Sequence, residues 1–311
     1  MKIGVVGAGA VGGFFGLLLQ RAGNQVTFIA RGPHLKAMQR DGLLIKRGTT
    51  SLSVNGRFSD DLQDLLDCEL ILFCIKSNDT EQMAKELLPI LSEEANVLTL
   101  QNGVDNEMVL TQIFGKERTF SCATYIQAAV EQPGVIKQDG RVKLVIGELN
   151  YSSTEKCSEL VSIFQNAGID AKHSRNILAR KWKKLLWNIT FNPLSAISTA
   201  RVGDILDNEE LRKTAEFICQ EAIEVAIRTG IKLDREETVT AIFAGGERAR
   251  AHNPSMLQDR LNGKPMEVEA ICGYVVRKAR ELEVKVPTLQ MSYSILNHLN
   301  QVISNEKKEE E

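Results

Sequence analysis

At 311 residues the chain is long enough for two ordinary domains, each with a core of its own. Its 38 basic and 40 acidic side chains leave a formal net charge of −2, which argues against nucleic acid or an anionic membrane as the main partner. The six cysteines (Cys68, Cys74, Cys122, Cys157, Cys219 and Cys272) form no CxxC pair. The four histidines (His34, His173, His252 and His298) are equally dispersed. That pattern suits reduced thiols in a cytoplasm and offers no ligand cluster for a protein-bound metal.

The first elements are the most informative. Ile3-Gly4-Val5-Val6 is a short apolar run, followed by Gly7-Ala8-Gly9-Ala10-Val11-Gly12, a helical stretch to Ala22, a stop at Gly23, and a β-branched run from Gln25 to Ala30. This is strand, glycine turn, helix, strand. In that setting Gly7 permits the tight turn, Gly9 lets backbone approach a pyrophosphate and Gly12 lets helix and strand pack closely. The phosphates would rest on the helix N-terminus, whose unpaired N–H groups and dipole favour negative charge. An export signal is the competing reading, because no charge intervenes between Lys2 and Arg21. Five glycines between Ile3 and Gly13 break up its apolar core, so neither a signal nor a membrane span is expected.

The end of the second strand bears on which dinucleotide binds. An NAD site places a carboxylate about 20 residues beyond the glycines to accept from the ribose 2′-hydroxyl. Here Ala30-Arg31 stands in that place. A guanidinium can hold a 2′-phosphate through charge-assisted hydrogen bonds, so NADP(H) is the expected cofactor. A solvated surface arginine is the alternative.

Further along, a helical piece near Leu35 to Asp41 precedes expected strands at Leu43-Leu44-Ile45 and Leu52-Ser53-Val54. Leu70 to Ile75 is a continuous apolar run, read as a parallel strand buried on both faces. Lys76-Ser77-Asn78-Asp79 then caps a helix from about Thr80 to Leu91. Asn96 to Gln101 is another strand, ending in Asn102-Gly103, and a helix covers Asn106 to Phe114. Strands near Thr119 to Gln127 and Val142 to Ile146 flank the turn signal Pro133-Gly134. The alternation predicts an α/β fold, an N-terminal Rossmann-type doubly wound parallel sheet. Lys76 and Asn102 fall just past strand ends, on the rim that faces a bound cofactor. Lys76 could hold phosphate or a substrate carboxylate, and Asn102 the ribose or nicotinamide side; a solvated lysine and an ordinary Asn-Gly turn are the alternatives.

Beyond about His173 the strands stop. Helices are expected at Asn176 to Phe191, Asn208 to Thr229, Asp234 to Gly245, Met266 to Leu282 and Pro287 to Ile303. The division is a NADP-binding domain over 1–172, an all-helical C-terminal domain for substrate and catalysis over 173–305, and a charged, frayed tail over 306–311. In the first helix Lys184, Asn188 and Asn192 are spaced i, i+4, i+8 and share one stripe bordered by Leu185, Leu186, Ile189 and Phe191. They could point into a cleft, or be incidental amides of an amphipathic helix. Asn253-Pro254-Ser255 reads as a helix start with Ser255 a possible N-cap, and Glu267 follows in Met266-Glu267-Val268-Glu269. Spacing alone assigns neither a role.

These blocks, taken in order, closely resemble the ketopantoate reductase (2-dehydropantoate 2-reductase) family. They are Gly-Ala-Gly-Ala-Val-Gly, Lys76, Gln101-Asn102-Gly103, Trp182-x-Lys184 through Asn192-Pro193-Leu194-x-Ala196-Ile197, and Pro254-Ser255-Met256-Leu257-Gln258-Asp259 with Glu267. The resemblance implies NADPH-dependent reduction of 2-dehydropantoate to (R)-pantoate on the route to pantothenate and coenzyme A. A related 2-keto acid or hydroxyacid dehydrogenase is the alternative, and a dinucleotide sensor without turnover a more distant one. It also implies a cleft between the two domains, a small-molecule 2-keto acid partner and a cytoplasmic location; an exposed apolar face would favour a homodimer.

By position, Lys184 matches the catalytic lysine, whose ammonium can stabilise and protonate the oxygen left by hydride transfer. Asn188 and Asn192 match residues on the substrate side, Ser255 a substrate contact, and Glu267 a catalytic carboxylate near substrate hydroxyl and cofactor. Gly7, Ala8, Gly9, Ala10, Val11, Gly12, Arg31, Lys76, Asn102 and Ala129 match cofactor contacts; Asn102 also faces the substrate. The chain departs from the family pattern at Arg201-Val202-Gly203, Cys272-Gly273 and Pro287-Thr288-Leu289. Those departures put the substrate's exact side chain in question.

Overall fold

The computed structural model describes residues 1–149 and 154–310, with side chains through residue 305. It divides into two compact units, Met1–Arg180 and Lys181–Glu311.

The first unit runs β1 (Lys2–Val6), α1 (Ala10–Arg21), β2 (Gln25–Ile29), α2 (Gly32–Asp41), β3 (Leu43–Arg47), β4 (Thr50–Val54), β5 (Arg57–Ser59), β6 (Leu70–Phe73), α3 (Thr80–Leu87), β7 (Asn96–Thr99), α4 (Asn106–Phe114), β8 (Thr119–Gln132), β9 (Val135–Glu148), α5 (Thr154–Asn166) and β10 (Asp170–His173). The strands form a ten-stranded sheet of order β4-β3-β9-β8-β7-β6-β1-β2-β5, with β10 beside β9. From β8 across to β5 every pairing is parallel. This is the Rossmann-type sheet, and the chain reverses direction across it between β1 and β6.

The apolar runs are explained by the pleat. Ile3, Val5, Leu70 and Leu72 pack on one face, with α1 and α5, in a core that includes Phe14, Phe15 and Phe164. Val6, Ile71 and Phe73 point to the other face, with Ala84 and Leu87 of α3 and Leu110 of α4. Successive side chains alternate sides, so a strand covered on both faces must be apolar throughout.

The flank is less regular than alternation implies. β8 and β9 are 14-residue antiparallel strands joined at Pro133-Gly134, extending beyond the strands expected near Thr119 to Gln127 and Val142 to Ile146, and β3 with β4 is a second antiparallel hairpin. Bulges near Ile126 and Glu131 break the period-2 pattern along β8, which is why its full extent was hidden.

After β10 no strand follows among the described residues. The helices are α6 (Ile177–Ser198), α7 (Val202–Asp207), α8 (Glu209–Arg228), α9 (Arg235–Arg248), α10 (Ser255–Leu261), α11 (Tyr274–Glu281) and α12 (Pro287–Glu310). The division between the units falls inside α6. This helix continues past Phe191 through Pro193, where the sequence predicts a stop. Proline at 193 removes the N–H that would bond Ile189, while the helix's last carbonyls, of Ala196 and Ile197, accept from Arg260 of α10. The helix expected from Met266 to Leu282 opens instead with a π-helical turn, Glu269–Gly273, before α11. Within it the Glu269 carboxylate is held by Arg277 and by Tyr293 Oη of α12. α12 begins where both Glu221 carboxylate oxygens accept from Thr288 and Leu289 N–H at 3.0 and 2.8 Å. It runs on through Glu310; Glu311 lies outside the described residues. No helix among the described residues is long and apolar enough to cross a membrane.

Candidate functional site

In the first unit the glycine turn divides its labour as the spacing predicts. Gly7 sits at φ +92°, where a Cβ would also lie 2.9 Å from Ile75 N. At Gly12 a Cβ would lie 2.3 Å from Gly7 O, so only glycine lets α1 approach the turn. At Gly9 a Cβ would meet nothing within 4 Å. The protein itself therefore demands two of the three glycines, and the third leaves room beside the helix N-terminus. There α1 has no side-chain cap and its first internal bond is Gly13 N–H to Gly9 O at 2.8 Å. The N–H groups of Ala10, Val11 and Gly12 have no acceptor within the helix. Uncapped donors, a positive dipole end and an open backbone fit the pyrophosphate of a dinucleotide.

The turn is anchored from beneath. Ala8 is buried, and the N–H groups of Gly7 and Ala8 both donate to Ile29 O, at 3.1 and 2.8 Å. His34 adds a tie that sequence spacing did not reveal. Gly134 N–H donates to its Nδ1 and its Nε2 lies 3.0 Å from Ala8 O, so the ring is neutral with its proton on Nε2. Burial holds its pKa below the ordinary value.

Arg31, Lys76 and Asn102 follow the C-terminal ends of β2, β6 and β7, which with β1 are consecutive neighbours in the sheet. The structure thus brings these three and the glycine turn to one edge. The Arg31 guanidinium is exposed and 3.6 Å from Asp79, an ion pair worth little and readily exchanged for a phosphate. The loops bearing Lys76 and Asn102 are fastened together by buried polar groups. Gln101 Nε2 donates to Ile75 O at 3.0 Å and to Thr80 Oγ1 at 2.8 Å. Thr80 Oγ1 donates to Asn106 Oδ1, and Asn106 Nδ2 donates to Asn102 O and Ser77 Oγ. Nothing in the sequence marks Asn106 and Thr80, because a Thr and an Asn far apart in the chain carry no joint signal. Ala129 lies apart from this group of residues in the chain's layout: it is exposed on the outer half of β8, opposite Lys137, well beyond Ser121 where pairing with β7 ends.

In the second unit α6 carries Lys184, Asn188 and Asn192 on one stripe. Lys184 and Asn188 are half-buried. Asn192 is 2% exposed and its Oδ1 has no hydrogen-bond partner. Beside the stripe, Trp187 packs against Phe191 and against His252, whose ring centroid is 5.7 Å away. His252 is also buried enough to hold its pKa below the ordinary value. Ser255 is exposed and opens α10 but does not cap it: Pro254 occupies the N-cap position, fixing the entry of the chain while contributing no acceptor side chain.

The two segments are locked to each other within this unit. Arg260 of α10 donates to Ala196 O and Ile197 O at the end of α6. Gly203 N–H donates to Arg250 O at 2.8 Å and Val202 N–H to His252 O at 3.3 Å, so the departing Arg201-Val202-Gly203 segment braces the chain that leads to Ser255. Glu267, half-buried, immediately precedes the helix that starts with the π turn. Next to it Asn300 of α12 clamps Met266, accepting from its N–H at 2.9 Å and donating to its carbonyl at 3.0 Å. Cys272 is fully buried, a packing residue within that turn.

Residues 3–151 match the family profile described as ketopantoate reductase PanE/ApbA, and residues 176–300 match its C-terminal counterpart. A 2-dehydropantoate 2-reductase of Pyrococcus horikoshii is 32% identical over 287 residues, covering 92% of this chain and 93% of that protein. The chain belongs to the ketopantoate reductase family. The family is one of oxidoreductases acting on CH–OH groups with a nicotinamide cofactor. Among solved structures, a PanE/ApbA family ketopantoate reductase from Ralstonia eutropha JMP134 superposes with TM-score 0.90 at 30% identity, covering 98% of this chain and all of that one. A complex of D-mandelate dehydrogenase with NADH superposes with TM-score 0.89 at 25% identity over 97% of this chain and 100% of that one.

Proposed function

We propose that the chain reduces 2-dehydropantoate to (R)-pantoate with NADPH, in a cytoplasmic setting that keeps its cysteines reduced. The observation that carries the substrate reading is Asn192. A buried amide oxygen without a donor is rare because it forfeits a hydrogen bond. A ligand hydroxyl supplies that donor, and 2-dehydropantoate is a 2-keto acid that carries one.

NADPH, when bound at the glycine turn, supplies the hydride. Gly9 to Gly12 would hold its pyrophosphate, and Arg31 its 2′-phosphate in place of the carboxylate that an NAD site presents. Lys76 and Asn102, braced by Gln101, Thr80 and Asn106, are placed for the remaining cofactor contacts. Lys184 acts on the keto oxygen: its ammonium offsets the negative charge that develops there and then donates a proton. Asn188 and Asn192 orient the substrate, Asn192 Oδ1 accepting from its hydroxyl, Ser255 meets its carboxylate, and Glu267 stands near that hydroxyl and the cofactor.

A second reading, a related reductase of a bulkier 2-keto acid, is favoured by Trp187. It neighbours Lys184 on α6 and with His252 forms an aromatic surface suited to an apolar side chain. One assay separates the two: loss of reduced-nicotinamide absorbance with 2-dehydropantoate, with branched 2-keto acids lacking the hydroxyl, and with an aryl 2-keto acid, each with NADPH and NADH. The proposal expects the highest kcat/KM for 2-dehydropantoate with NADPH. Preference for an aryl acid would replace the substrate assignment, and preference for NADH would remove the role given to Arg31.

A further inference from the structure

Away from the residues treated above, three groups of metal-ligating chemistry meet in the first unit. Glu148 ends β9, His173 ends the adjacent parallel strand β10, and Cys157 lies in the first turn of α5. One ligand atom from each, a carboxylate oxygen, an imidazole nitrogen and the thiol sulfur, falls within 4.8 Å of the other two. Glu148 Oε2 and His173 Nε2 are 2.8 Å apart. The Glu148 side chain is 2% exposed and Cys157 is fully buried, whereas the His173 side chain is 22% exposed and marks the side open to solvent.

We infer that Glu148, Cys157 and His173 form a binding site for a divalent zinc ion. One thiolate, one imidazole and one carboxylate are donors that zinc accepts together, while magnesium and calcium require sets dominated by oxygen. Tetrahedral bonds to such donors set the ligand atoms roughly 3.5 Å apart, so side-chain adjustments of about an ångström convert the observed cluster into a coordination shell. The outer partner is already in place. Thr154 Oγ1 donates to Glu148 Oε1 at 2.9 Å, orienting the carboxylate so that Oε2 faces the cluster. On binding, the thiol proton leaves to solvent, a sulfur–zinc bond forms, and the ion's two charges are balanced by thiolate and carboxylate. Water at the His173 side completes four-coordination.

The location assigns the ion a structural task. Glu148 pairs with Phe120 of β8, on a strand four places from β1 in the sheet. Zinc there clasps α5 and β10 to β9 without touching the residues assigned to catalysis.

The test is titration of the chelator-treated full chain with cobalt(II), whose sulfur-to-metal charge transfer and tetrahedral visible bands report this donor set. One equivalent should saturate both signals and zinc should abolish them. Cys157→Ser should remove the charge-transfer band, with far-ultraviolet dichroism confirming the fold. His173→Gln keeps the thiol and changes the most accessible side chain of the three, so it serves if the serine variant fails to fold; cobalt affinity should fall about tenfold or more. Zinc but not magnesium should raise the thermal midpoint of the wild type. Absence of a charge-transfer band in the wild type, a band that survives Cys157→Ser, or unchanged affinity in His173→Gln would each overturn the assignment.

Discussion

An amide oxygen buried without a donor costs about 1–3 kcal/mol, and Asn192 carries that cost on the same stripe as Lys184. Two substitutions divide the labour among the charged residues. Lys184→Ala should lower kcat by roughly 100-fold or more while the dissociation constant for NADPH stays within about twofold, measured by stopped-flow turnover and by nicotinamide fluorescence. Near-normal kcat would take this lysine out of the chemistry. Arg31→Ala should weaken NADPH by about 10- to 100-fold and leave NADH unaffected, the worth of hydrogen bonds to a charged phosphate; equal losses for both cofactors would mean that Arg31 does not read the 2′-phosphate. At this scale the sequence was legible where one element carries the whole pattern. Lys184, Asn188 and Asn192 share a helical period, and the glycines share one turn. His34, Asn300 and Arg260 were silent because each acts on backbone groups far away in sequence: Ala8, Met266 and the end of α6. The trio Glu148, Cys157 and His173 was hidden for the same reason, its members looking dispersed until β9, α5 and β10 bring them together.

Elements differ in what fixes them. β6 and β1 were visible as apolar runs because both faces are covered, but β8 and β9 were shortened by half-exposed, polar outer segments. Pro193 signals a stop in any local reading of α6, yet tertiary partners carry the helix to Ser198. The loops after β6 and β7 show the reverse: a buried set of amides and hydroxyls ties one loop to the other. Asn106→Ala would remove the acceptor of the Thr80 hydroxyl and the side-chain amide that donates to the Asn102 carbonyl. The expected loss is about 1–3 kcal/mol of stability by urea unfolding, with a rise in KM for the cofactor larger than the fall in kcat. A stable variant with unaltered KM would show that the joint does not position Lys76 and Asn102.

For the whole molecule, two imidazoles set the response to acid. Burial holds the pKa of both His34 and His252 below the unfolded value of 6.5. As pH falls through 6.5 the unfolded chain takes up protons on these rings before the folded chain does, so their contribution is complete above that value and is lost progressively as pH drops through the lowered folded pKa values. The urea midpoint should therefore decline between about pH 7 and pH 5, and His252→Gln should flatten part of that decline; a wild-type midpoint that rises over this window would contradict the assignment. The organisation at this scale was largely written in the sequence: alternating strands and helices, then helices alone. The antiparallel flank was not, because pairing direction depends on which strands meet.

Gly9 lends itself to a protein-engineering use. Its backbone, at φ −75° and ψ −153°, is accessible to any residue, and a methyl group there would touch nothing within 4 Å. Gly9→Ala should unfold at nearly the wild-type temperature yet bind nicotinamide dinucleotides at least about tenfold more weakly, since the methyl occupies the space through which a pyrophosphate reaches the α1 backbone. Gly7→Ala or Gly12→Ala would instead damage the fold. A single carbon atom at one chosen glycine therefore yields a well-folded variant impaired in cofactor binding alone, a control for any genetic complementation experiment.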